Sequence, residues 1–99
     1  DNFSSDDGIL APISKGAIGD AFSELGQDEE ALEYYIKAAE LRTNNFTTPV
    51  YLMKAANAAY SLGEKDKALS LYTRIENEFA TSREGQNISK YIARITSAQ

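Results

Sequence analysis

The sequence predicts an all-α fold in which antiparallel helix pairs stack side by side and a last helix closes the array. Three observations carry this. The 99 residues hold no His, Cys or Trp and only two Pro, Pro12 and Pro49, and they are rich in the helix formers Ala, Leu, Glu and Lys. Apolar residues recur at helical rather than alternating spacing. The chain also repeats itself: shifted by 37 residues, so that Pro12 falls on Pro49, the stretch 12–42 matches 49–79.

The shift makes seven identical pairs: Pro12/Pro49, Ala21/Ala58, Leu25/Leu62, Gly26/Gly63, Ala31/Ala68, Leu32/Leu69 and Tyr35/Tyr72. They fall at a helix start, a turn and one helix face, where structure limits the choice of residue. In each unit the first helix starts at Pro, which needs no backbone donor in a first turn. Thr48 is the expected N-cap of the second unit. Leu25-Gly26 and Leu62-Gly63 end the first helices, with Gly in the left-handed position beyond the helix end.

The second helices are expected over 28–42 and 65–79. Asp28, Glu29 and Glu30 sit in a first turn, where negative charge complements the helix dipole. Glu33 and Lys37 stand one turn apart in the favourable order. Ala31, Leu32, Tyr35, Ala38 and Ala39 form an apolar stripe. A third helix is expected over 83–97, with Thr81 or Ser82 as cap and Ile88, Tyr91, Ile92 and Ile95 on one face. The predicted organisation is a connector from a preceding repeat at 1–11, a repeat with its linker at 12–48, a second repeat at 49–82 and a capping helix at 83–99. The first helix is then expected to present an unpartnered face around Ile13 and Ile18.

These residues resemble the tetratricopeptide repeat, whose helix pair carries a small residue, an aromatic, Gly, Ala, an aromatic and Ala at fixed spacing. Gly19, Phe22, Gly26, Ala31, Tyr35 and Ala38 stand at those places in the first unit. The second supplies Ala56, Gly63, Ala68 and Tyr72 and departs at Ala59 and Ile75. The period exceeds the family's length of about 34 residues, and neither unit ends in the usual Pro. The resemblance implies a right-handed superhelix whose first helices line a concave groove for a peptide or a partner helix. Its groove positions fall on Ile13, Gly16, Asp20, Ser23 and Glu24, then on Val50, Met53, Asn57, Tyr60 and Ser61. Asn87, Tyr91 and Arg94 are added by the capping helix. Gly16 and Met53 stand where the family's carboxylate clamp needs Lys, which argues against a chaperone tail as ligand. The ending of the second unit is similar to closing repeats of bacterial envelope proteins. That similarity implies a location outside the cytoplasm, with a tether in a segment beyond this sequence.

Composition narrows function. Without His or Cys, the usual zinc ligands, thiol nucleophiles and imidazole bases are missing. A net charge of −5 disfavours nucleic acid, and no apolar run reaches the roughly 20 residues of a membrane span. The charge is uneven: residues 1–49 hold ten acids and three bases, residues 50–99 five acids and seven bases. The acidic stretch around Asp28 has its twin at 60–69, where Lys65 and Lys67 replace Asp28 and Glu30. An acid–base or metal site does not survive such a reversal, so no catalytic residue, metal or cofactor is expected. The expected role is a non-catalytic scaffold for a protein or peptide, with a self-assembling segment of a larger envelope protein, joined through the exposed first helix, as the alternative.

Overall fold

A computed structural model describes residues 7–97, with side chains from residue 10 onward. The described residues form six helices: α1 (Asp7–Glu24), α2 (Asp28–Glu40), α3 (Thr48–Ser61), α4 (Lys65–Glu78), α5 (Arg83–Gln86) and α6 (Ile88–Thr96). Each of α1 to α4 packs on the next, and α6 closes the array against α4. The fold is all-α, with consecutive helix pairs stacked as a tetratricopeptide array would stack them.

The two inter-helix turns are copies of one another. Gly26 and Gly63 have φ of 75° and 81°, a conformation that side chains other than Gly rarely adopt. This lets the Gln27 and Glu64 amides reach back to the Phe22 and Ala59 carbonyls, both at 2.9 Å. The two helix ends are thereby satisfied by the same backbone closure.

The helix starts differ from expectation. α1 begins at Asp7, so 7–11 of the predicted connector are helical and Pro12 lies inside the helix; residues 1–6 are outside the described residues. A proline near a helix start removes a single backbone donor. In both copies the ring is fully buried, so the matched prolines keep their packing although the helix starts do not coincide.

α2 ends at Glu40, two residues before the predicted end, because Leu41 is extended and Arg42 has a positive φ of 57°. The link to α3 is organised by Asn44. Its side-chain oxygen accepts from the Phe46 and Thr47 amides, both at 2.7 Å. Its amide group donates to the Arg42 carbonyl and the Thr47 hydroxyl. The predicted cap, Thr48, is instead the first residue of α3, and its hydroxyl accepts from the Asn44 backbone amide at 2.8 Å. Asn44 thus holds the turn at 45–47 that leads into α3, whose N-cap residue, Thr47, makes no side-chain capping bond of its own.

The predicted last helix is two helices. Ser82 caps α5 by accepting from the Gly85 amide at 2.9 Å. At Asn87 the side chain donates to the Arg83 carbonyl at 3.1 Å, and the backbone leaves helical geometry with φ −110° and ψ 5°. Asn competes with the helix for its own backbone in this way. Beyond the break, α6 buries Ile88 and Ile95 and exposes Ser89, Lys90, Ala93 and Arg94.

The core is made of small residues and large rings. Ala31, Ala38, Ala39, Ala55, Ala56, Ala59 and Ala68 are completely buried, which lets helix axes approach closely. A Cβ on Gly19 would stand 2.8 Å from the Tyr35 ring and 3.4 Å from the Ala31 carbonyl. The ring of Tyr51 rests on Gly16 so closely that a Cβ there would overlap it. Rings bridge successive helices: Phe22 with Tyr34, Tyr35 with Tyr51, and Tyr72 with Tyr91, at centroid separations of 5.7, 6.5 and 5.5 Å. Arg74 ties α4 to α2 through Glu40 at 2.8 Å.

Two substitutions test this account by chemical denaturation. Ala68→Leu overpacks a site with no free surface and is expected to cost about 1–3 kcal/mol. Asn44→Ala removes the side-chain bonds that hold the turn into α3 and is expected to cost about 1–2 kcal/mol; unchanged midpoints in either variant contradict the packing or the turn.

Candidate functional site

Repetition at 37 residues places Asp20 and Asn57 at the same point of α1 and α3, and Tyr35 and Tyr72 at the same point of α2 and α4. Each pair is joined by the tyrosine hydroxyl. Tyr35 donates to Asp20 Oδ1 at 2.6 Å, and Tyr72 donates to Asn57 Oδ1 at 2.5 Å. A cation from a later helix, α3 or α6, completes each unit. Lys54 Nζ donates to Asp20 Oδ1 at 2.9 Å, and Arg94 Nη2 donates to the Tyr72 hydroxyl at 3.2 Å.

The two units differ in one charge. In the first, Lys54 is neutralised by Asp20. In the second, Asn57 is an amide, and Arg94 has no ion-pair partner among the described residues. Its guanidinium instead lies 3.8 Å from the Tyr60 ring centroid and 5.4 Å from that of Tyr91. Such stacking orients an arginine without cancelling its charge.

The first unit and Asn57 border one concavity, and a second lies beside α5 and α6. The first, about 500 Å³, is lined by Asp20, Ser23, Glu24, Asp28, Tyr35, Lys54, Asn57, Ala58 and Ser61. The second, about 260 Å³, is lined by Met53, Arg83, Glu84, Asn87, Lys90 and Tyr91. Of the groove residues named from sequence, Asp20, Ser23, Glu24, Asn57 and Ser61 thus meet in the first, and Met53, Asn87 and Tyr91 in the second. Tyr60 and Arg94 stack on one another. Gly16 departs from the groove set, being buried beneath Tyr51. Ile13 is 43% exposed but lines neither concavity. Lys54 is not among the groove positions named from the sequence, and Tyr35 and Tyr72 are read there only as repeat positions, although their hydroxyls make the polar link.

The electrostatics follow the contacts. Burial acts to raise the Asp20 carboxyl, but the Tyr35 and Lys54 hydrogen bonds and the Lys54 charge outweigh it, and the group lies below its ordinary value. Tyr35 is pushed up, first by burial and then by the Asp20 carboxylate. Burial also raises Tyr72, against the opposing charge of Arg94. Although several acids line the first concavity, the described residues contain no group of three carboxylates placed to hold a metal ion.

A pH prediction comes from Asp20. A depressed carboxyl stabilises the fold fully above its unfolded value, about 3.9, and that contribution is lost as pH falls through the folded value. The stability difference between wild type and Asp20→Asn is therefore expected to be flat at neutral pH and to shrink in the acid range. A gap that widens on acidification, in urea denaturation series, contradicts the network. The effect is small because both partners are partly solvated.

Residues 14–45 match the family model of the tetratricopeptide repeat. Comparison with curated proteins and with solved structures gives no match. The matched span covers most of α1, its turn, α2 and the start of the α2–α3 link, where the glycine turn and the Tyr35–Asp20 bond occur. Residues 14–45 thus carry a tetratricopeptide repeat, a helical repeat that supports a general role in protein interaction.

Proposed function

We propose that the face carrying Asp20, Asn57, Tyr60 and Arg94 binds an extended segment of a partner protein and performs no chemistry on it. The observation that carries this reading is the pair of tyrosine-centred networks. They fix groove side chains in place before any ligand arrives, while Asn57 and Arg94 remain exposed. Side chains already ordered lose less entropy on binding. Aromatic and arginine groups are the residue types that most often dominate interface energies.

Asn57→Ala and Tyr60→Ala are expected to abolish capture of partners in pull-down while leaving the circular dichroism helical. Retention of every partner by both variants argues against this face as the binding site.

A second reading is favoured by α1. Leu10, Ile13 and Ile18 are 50%, 43% and 39% exposed, and Leu25, just beyond the helix end, is 70% exposed. The equivalents of Ile13 and Ile18 on α3, Val50 and Ala55, are half-buried and buried, on a helix that α2 covers. A stacking role through α1 predicts concentration-dependent association in sedimentation. Ile13→Glu with Ile18→Lys is expected to remove it without affecting the groove.

A further inference from the structure

The two ends of the groove carry opposite charge, and each pole is built from the same repeated position. At the α1 end, Asp20, Glu24 and Asp28 line the concavity of about 500 Å³ with Lys54 as the sole base among its lining residues. Asp20 Oδ1 already holds Lys54 and Tyr35, so Glu24, exposed and in no ion pair among the described residues, supplies net negative charge. At the α6 end, Asn57 stands where Asp20 stood, and the arginine that follows it keeps its charge. Arg94 is bracketed by Tyr60 and Tyr91, and Lys90 lies 5.5 Å from the Tyr91 ring. The poles are continuous: Asn57 lines the acidic concavity and is joined through Tyr72 to Arg94.

Resting on the groove reading above, we infer that this groove takes one class of occupant in one direction: an extended peptide of mixed charge. A lysine or arginine side chain of that peptide enters the Asp20–Glu24–Asp28 concavity. A carboxylate of the same peptide meets Arg94, taking the place that Asp20 fills beside Lys54 in the first unit. Charge complementarity selects the occupant and also its polarity, because a segment with its charges exchanged sets acid against Glu24 and base against Arg94. Uniformly basic and uniformly acidic segments satisfy one pole and are repelled at the other.

The test is selection from a random peptide library displayed against the folded protein, followed by titration of enriched peptides by fluorescence anisotropy. Enriched sequences are expected to pair one basic and one acidic residue at a fixed spacing and order. Neutralising the peptide's acid is expected to weaken binding to wild type roughly three- to tenfold and to leave binding to Arg94→Gln unchanged. Neutralising its base is expected to do the same against Glu24→Gln. Arg94→Glu is expected to shift selection toward peptides with two basic residues. Enrichment of uniformly charged or apolar peptides that still lose binding in Asn57→Ala and Tyr60→Ala overturns the polarity and leaves the groove standing. No enrichment, or peptides indifferent to Asn57→Ala and Tyr60→Ala, overturns the groove and the polarity together.

Discussion

The tyrosine of each second helix is the contact on which the rest of the molecule depends. Tyr35 and Tyr72 are almost completely buried, at 5% and 0% exposure, so their rings fill the space that the small residues leave. Their hydroxyls leave the core on the groove side and bond Asp20 and Asn57. One side chain therefore sets the packing of a helix pair and orients a groove residue. A buried hydroxyl without a partner is costly, which ties the identity of the groove residue to the integrity of the core.

That coupling explains how so small a chain keeps a structured surface. Little free energy is left over in a domain of this size for strained arrangements. Here the groove is held by bonds that the core requires in any case. The cations Lys54 and Arg94 come from later helices, α3 and α6, so each polar unit needs three helices in register. The exchange of carboxylate for amide between the units changes the electrostatics while the tyrosine bond is kept.

Much of the array was legible in the sequence because the constraints are local and occur twice. Gly26 and Gly63 announce their turns through a backbone conformation that few other residues take. Ala31, Leu32, Tyr35, Ala38 and Ala39 read as one face, and they are the buried face of α2. Boundaries were less legible. Pro12 is compatible with a helix start, but it lies inside α1, where its ring is buried. Asn87 lies within an apolar pattern that continues on both sides, so the pattern runs through a break made by one side-chain hydrogen bond.

The sequence by itself determined the helix pairs, their turns and the small-residue crossings, because these depend on residues close in the chain and repeated at one period. It also determined the acidic and basic halves. Tertiary structure alone decided which charges are cancelled. Asp20 and Lys54 are 34 residues apart and form an ion pair, and Arg94 meets Tyr60 and Tyr72 across helices. Charge is a property of the residue, but neutralisation is a property of distance, and those distances exist only once three helices are stacked.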